Sequence, residues 1–105
     1  MMKRIQAIIR TTKFEEVRLA LHSIGVEFFT YYDVKGVSFQ NDNKGSYRGA
    51  LINESTSIPR RAIDIVVPEI DSNDVIKVIQ KNAATGTTGD GKIYISDINE
   101  QFRIS

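Results

Sequence analysis

A glycine-rich segment near the end of the chain, TGTTGDGKIYI from Thr85 to Ile95, has the residue types that bind phosphate. Gly86, Gly91 and Lys92 fit the G-x-x-x-x-G-K part of the phosphate-binding loop, in which backbone N–H groups and one lysine surround phosphate oxygens. Ile93, however, stands where that motif needs a Ser or Thr for magnesium. A helix pattern precedes the segment and a strand pattern follows it, which is the reverse of the motif's usual context. The pattern therefore disfavours a nucleotide hydrolase, and leaves open an anion site or a plain helix-to-strand turn.

Composition narrows the class of protein. The 105 residues predict one domain, and 14 basic against 13 acidic residues give a net charge of +1, so any anion binding must be local. There is no cysteine and only one histidine, which disfavours thiolate or zinc metal sites. No apolar run is long enough to span a membrane, and the first residues lack a signal-peptide pattern. These features predict a soluble cytoplasmic protein.

The first half of the chain predicts a strand, a helix and a second strand. RIQAIIR is rich in β-branched residues and suits a strand. Thr12 and Glu15 have the spacing of a capping box and Gly25 suits a C-terminal cap, which together predict a helix over 13–24. The segment VEFFTYYDVKG then predicts a strand with apolar residues on both faces. Such a strand is covered on both sides or joins another subunit.

The second half repeats this order. RAIDIVVPEI predicts a strand, Asp71 or Ser72 a helix cap, and the helix ends near Gly86. Its buried face is predicted at Val75, Ile76, Ile79 and Ala83. Lys92 to Ile98 form the last predicted strand. Two strand-helix-strand halves predict a ferredoxin-like α+β sandwich of βαββαβ order. The 25-residue segment between the halves shows neither periodicity and is typical of a functional or disordered loop.

Four segments in this order resemble the PII signal-transduction family. TGTTGDGKIYI resembles the family's B-loop T-G-x-x-G-D-G-K-I, with DVKG before the long loop, YRGA inside it and IPRRAIDIVVPE after it. The resemblance covers nearly the whole chain. It implies a single PII-like domain over 1–105 with a T-loop at about 37–58 and a B-loop at about 85–92. It also implies a homotrimeric, non-enzymatic regulator of nitrogen metabolism that senses energy through ATP or ADP. The T-loop would dock on a target transporter or metabolic enzyme.

The same resemblance implies a nucleotide site between subunits. The B-loop wraps the phosphates, the base of the T-loop lines the cleft, and two strand residues lie near the adenine. A neighbouring subunit adds a further contact and a phosphate-binding arginine, and an arginine replaces a family lysine near the phosphates and an organic-acid effector. The phosphate-wrapping residues are Gly89, Asp90, Gly91 and Lys92, and the base of the T-loop contributes Ser38, Phe39 and Gln40. The strand residues near the adenine are Ile8 and Val66. The neighbouring subunit contributes Thr30 and the phosphate-binding Arg103, and Arg60 is the arginine in place of the family lysine.

Several positions depart from the family pattern. Ile52 occupies the place of the tyrosine that is uridylylated in enteric members, which predicts that this control is absent. Phe39, Thr87 and Ser105 replace residues that are basic in typical members, so phosphate charge is less completely compensated. The T-loop is also one residue longer before Pro59. This length change affects the geometry that the family uses for magnesium and 2-oxoglutarate.

Other interpretations compete with these assignments. Arg60 and Arg61 fit an exposed pair ahead of a strand, and the aromatic residues of the second strand fit core or trimer-interface packing better than a base-stacking platform. An RNA-recognition module shares the strand-helix order, and KGVSF faintly resembles its aromatic motif, but the near-neutral charge lacks a basic footprint. A small enzyme is the other alternative, although the acidic residues have no evident nucleophile beside them.

Overall fold

The computed structural model describes residues 1–37 and 57–105. The chain begins with β1 (Met2–Arg10), a 3₁₀ turn (Thr11–Lys13) and α1 (Phe14–Ser23). The remaining elements are β2 (Thr30–Val37), β3 (Ser57–Pro68), α2 (Glu69–Ala83) and β4 (Gly91–Ile98). The four strands form one antiparallel sheet of order β2-β3-β1-β4. The predicted ferredoxin-like βαββαβ fold is confirmed.

Both helices pack on one face of the sheet because alternate strand residues are apolar there. Ile5, Ala7 and Ile9 of β1 are buried in a single cluster with apolar residues of β3 and of both helices. The predicted buried positions of α2 include Val75 and Ile79, which are each 1% exposed. Since side chains alternate along a strand, the even-numbered residues of β1 and β3 lie on the opposite face. Residues 1–37 and 57–105 place no helix on that face and leave it open.

The start of α1 differs from the predicted capping box. The 3₁₀ turn leads directly from β1 into the helix, and no side chain caps the helix N-terminus. An N-cap residue needs an extended backbone, whereas Thr12 lies inside this turn. The predicted Gly25 cap is confirmed, with φ of 95° and N–H groups of Gly25 and Val26 donating to His22 and Leu21 carbonyls at 3.0 Å.

The start of α2 also differs from the prediction. The helix begins at Glu69, before the predicted caps, and Ser72 lies within it with its hydroxyl donating to the Glu69 carbonyl at 2.8 Å. Pro68 occupies the cap position, and the Glu69 N–H donates to the Met1 carbonyl at 2.8 Å. A backbone acceptor from the residue before β1 thus replaces the side-chain cap. Neither described helix reaches the length and hydrophobicity needed to span a bilayer.

The second strand begins at Thr30, four residues later than predicted. The preceding residues connect α1 to the sheet, and Phe29 packs against the core with its ring centroid 6.3 Å from that of Phe14. Tyr31 also contacts Phe14, at 4.7 Å between centroids, but its side chain is 52% exposed, so core packing is confirmed for Phe29 and not for Tyr31. Phe28, by contrast, is 78% exposed. As the edge of the sheet, β2 is not covered on both sides within the described chain.

Candidate functional site

The loop between α2 and β4 is organised around the carboxylate of Asp90. Its Oδ2 accepts hydrogen bonds from the backbone N–H groups of Thr85 at 2.8 Å and Gly86 at 3.0 Å. Its Oδ1 accepts from the Thr85 hydroxyl at 2.5 Å and from Arg10 Nε at 3.1 Å. These bonds, led by that of the Thr85 hydroxyl, hold the pKa of the Asp90 carboxyl well below its usual range. The carboxylate therefore stays ionised at neutral pH and closes the loop on itself.

Arg10 ties the same loop to the end of β1. Besides its bond to Asp90, its Nη2 donates to the Thr87 hydroxyl at 3.3 Å and to the Thr88 carbonyl at 3.1 Å. Sequence reasoning missed Arg10, which is separated from these partners by about 80 positions. The one signal was a basic residue at the end of a predicted strand. That signal becomes informative only with the strand order, which places β1 beside β4.

Arg60 approaches the loop from β3, opposite Arg10 in the strand register. Its Nη2 donates to the Gly89 carbonyl at 3.0 Å. Gly89 has φ of 93°, and a Cβ there would lie 3.4 Å from Arg10 Nη2 and 3.5 Å from Arg60 Nη2. The left-handed backbone is what favours glycine here, since both guanidinium groups would lie at ordinary van der Waals distance from an added Cβ.

Arg61 belongs to a different environment from its neighbour. Its Nε donates to Asp33 Oδ1 at 2.7 Å, and its guanidinium carbon lies 4.6 Å from the centroid of Phe14. Adjacent strand residues point to opposite faces of a sheet, which is why Arg60 and Arg61 separate. The interpretation of the two as an exposed pair ahead of a strand is therefore wrong, because both lie within β3 and both are partly buried.

Gly91 brings the loop back into the sheet. Its φ is 121°, and a Cβ at this position would overlap the carbonyl oxygen of Ile8 and lie 3.1 Å from its carbonyl carbon. Only glycine allows this approach. The approach sets the register in which Ile8 lies opposite Lys92. Lys92 has no acidic partner in an ion pair among the described residues.

These elements surround a cavity of about 590 Å³. Its wall includes half of the predicted site, namely Ile8, Arg60, Gly89, Asp90, Gly91 and Lys92, together with Gly36, Val37, Thr87 and Tyr94. The predicted residues Ser38, Phe39 and Gln40 lie outside the described residues. The cavity thus combines an apolar side with two cationic side chains and the glycine loop.

Three predicted residues lie elsewhere in the single chain. Ile8 pairs with Ala62, so Val66 is four residues further along β3, or roughly 13 Å at 3.3 Å per residue. Thr30 starts the edge strand β2, and Arg103 lies in the exposed segment after β4. Thr30 and Arg103 are the two residues for which the sequence predicted a contribution from a neighbouring subunit. One chain does not bring Val66 beside Ile8 either.

The electrostatics of the site favour an anion. Arg10, Arg60 and Lys92 supply three cationic groups against the single carboxylate of Asp90, whose two oxygens already accept four hydrogen bonds. The backbone N–H groups of residues 88–90 donate to no acceptor in the described part of the chain. Clustered free N–H groups beside cations form a typical phosphate site. Within residues 1–37 and 57–105, no His, Asp and Glu cluster that could hold a metal is found.

Comparisons with known proteins agree on one family. The family described as "Nitrogen regulatory protein P-II" matches residues 2–105. Nitrogen regulatory protein GlnK of Escherichia coli is 37% identical over 103 residues, which cover 98% of this chain and 91% of that protein. Nitrogen regulatory protein P-II 2 of Methanothermobacter thermautotrophicus is 43% identical over 103 residues, with 98% and 89% coverage.

A solved structure shows the same fold. The crystal structure of Arabidopsis thaliana PII bound to citrate has a TM-score of 0.77 and 28% sequence identity, and covers 98% of this chain and 82% of that one. Sequence and fold thus lead to the same assignment, and the glycine loop organised by Asp90 lies inside the matched region. This chain belongs to the P-II family of nitrogen regulatory, signal-transduction proteins.

Proposed function

We propose that the loop at 85–92 binds the phosphates of an adenine nucleotide, ATP or ADP. One observation carries this proposal: among residues 1–37 and 57–105, two cationic side chains and backbone N–H groups without an acceptor meet at one cavity, while the one carboxylate that lines it accepts hydrogen bonds from the loop itself. Lys92 contributes an ammonium group next to Ile8, whose apolar side chain lines the same cavity. This combination suits a ligand with a charged end and an apolar ring.

A neighbouring subunit would complete the site in a homotrimer. The open sheet face carries Val66, which is 44% exposed, and Phe102 in the last segment is 84% exposed. Burial of such exposed apolar side chains against a second chain would be favourable. Thr30, Val66 and Arg103 lie outside the cavity of their own chain, so a second chain must supply them if they bind the same nucleotide.

The proposed output is control of a target protein through the T-loop. The ends of β2 and β3 flank this loop, and Gly36, Val37 and Arg60 at those ends line the cavity. A nucleotide there therefore contacts both ends of the loop and can favour one loop conformation. The coupling is limited by the difference in nucleotide affinity between the two conformations. By family membership we propose a transporter or metabolic enzyme as the target.

The proposed function does not depend on a magnesium site. The resemblance assigns Gln40 to the site that bridges nucleotide and organic acid, and Gln40 lies outside the described residues. The regulatory function requires only nucleotide binding, and the described residues carry no step that depends on a metal. The protein acts in this proposal as a regulator without catalytic activity.

The test is a calorimetric titration of the wild-type protein and of Lys92→Ala with ATP and with ADP. Loss of one charge-assisted contact removes about 1.5–3 kcal/mol, which weakens binding roughly ten- to more than a hundredfold. Lys77→Ala is the matched control, because it removes the same charge from an exposed position on α2. Wild-type protein that binds neither nucleotide would contradict the proposed function. Equal affinity in Lys92→Ala and Lys77→Ala would show that the loop lysine plays no part in binding.

A further inference from the structure

Two arginines hold two consecutive peptide units of the glycine loop. Arg10 Nη2 donates to the carbonyl of Thr88 at 3.1 Å, and Arg60 Nη2 donates to the carbonyl of Gly89 at 3.0 Å. The arginines come from β1 and β3, where they lie opposite each other in the register. The sheet therefore sets the direction of both carbonyls.

The direction of a carbonyl also decides the direction of the next N–H group. In a planar trans peptide the C=O and the following N–H point to opposite sides, and the described chain contains no cis peptide. With the Thr88 carbonyl on Arg10, the Gly89 N–H points away from that guanidinium. With the Gly89 carbonyl on Arg60, the Asp90 N–H points away from Arg60. Gly89 and Asp90 both line the cavity.

The orientation of these peptide units must be fixed by other residues, because glycine does not restrict its own backbone. Gly89 has φ of 93°, and glycine populates positive and negative φ about equally, so the peptide units beside it rotate at little steric cost. A rotated unit would exchange an N–H donor for a carbonyl oxygen. A carbonyl oxygen carries partial negative charge and repels an anion that it faces. The same loop would then disfavour phosphate binding.

Arg10 directs all its side-chain hydrogen bonds in the described chain to this loop, through Asp90, Thr87 and Thr88. We infer that Arg10 is a positioning residue for the nucleotide site, which locks the peptide unit between Thr88 and Gly89 so that the Gly89 N–H donates to a phosphate oxygen. This inference rests on the proposed function and assigns a cause to the affinity of the loop. Arg10 acts through backbone geometry, and Lys92 supplies the direct charge.

The experiment compares Arg10→Ala and Arg10→Lys with the wild-type protein. Lysine keeps the positive charge, but a single ammonium group cannot reproduce the planar fork that reaches three loop groups at once. Arg18→Ala is the control, since Arg18 lies on α1 and pairs with Glu15 outside the site. Each protein is titrated with ADP and with inorganic pyrophosphate, and its thermal unfolding midpoint and ligand-free amide ¹H–¹⁵N spectrum are recorded.

We expect both Arg10 variants to bind ADP and pyrophosphate about tenfold or more weakly, the loss expected for one charge-assisted hydrogen bond that is no longer aligned. The Gly89 amide resonance should move in both variants, and the Asp90 amide should move as well because its carboxylate loses the bond from Arg10 Nε. Unfolding midpoints should stay within a few degrees of Arg18→Ala. Should Arg10→Ala fail to fold, Arg10→Lys alone decides the question.

Two results would overturn this inference. Wild-type affinity in Arg10→Lys would show that Arg10 acts by charge alone, and an unchanged Gly89 amide resonance in both variants would show that the peptide unit is held by other contacts. If the wild-type protein binds no nucleotide, the proposed function fails on that result. The locking of the peptide unit is then decided separately, from the ligand-free spectra.

Discussion

Gly91→Ala probes the closest backbone approach in the site. The new Cβ would overlap the Ile8 carbonyl oxygen, and Ile8 lies on β1, a central strand paired on both sides. The start of β4 must therefore move. Positive φ costs an alanine about 1–2 kcal/mol, and losing one or two ladder hydrogen bonds near Lys92 adds about 0.5–1.5 kcal/mol each. We expect the free energy of unfolding to fall by about 1.5–5 kcal/mol.

Gly86→Ala is the matched control for this change. Gly86 lies in the same loop with φ of 87°, but a Cβ there meets no atom within 4 Å. This variant should therefore lose only the backbone term of about 1–2 kcal/mol. Both variants are unfolded in urea at one fixed chain concentration, since subunit association makes apparent stability depend on concentration. ADP affinity is measured in parallel and should fall in Gly91→Ala. If Gly91→Ala is no less stable than Gly86→Ala, the steric argument is refuted.

The remaining predictions concern assembly and ligand choice. Light scattering at micromolar concentration should give three times the chain mass, and a stable monomer that still binds nucleotide would rule out a site shared between subunits. Because Phe39, Thr87 and Ser105 replace residues that are basic in typical members, ADP should bind at least as tightly as ATP in calorimetry; a clear preference for ATP would contradict this charge argument. The resemblance predicts a T-loop one residue longer than in typical members and an arginine, Arg60, in place of a lysine, so we expect that millimolar 2-oxoglutarate does not strengthen binding of ATP with magnesium. A gain of tenfold or more would refute this last prediction.

The sequence by itself determined the local features of this protein. Gly25 ends α1 as predicted because only a residue that accepts positive φ closes a helix in this way. The spacing of Val75 and Ile79 identified the buried face of α2. The glycine loop was also recognisable, since Gly91 and Lys92 are close in the chain. These properties depend on residues a few positions apart, for which the sequence itself supplies the distances.

The tertiary structure decided everything that depends on contacts between distant segments. The Asp90 carboxylate and Arg10 meet only because β1 lies between β3 and β4, which no local pattern specifies. The same register places Val66 away from Ile8. The Met1 carbonyl likewise accepts from the Glu69 N–H where α2 begins, ahead of its predicted caps. Periodicity indicates which face of a strand is buried, but the neighbouring strand and its register are selected by the packing of the whole core.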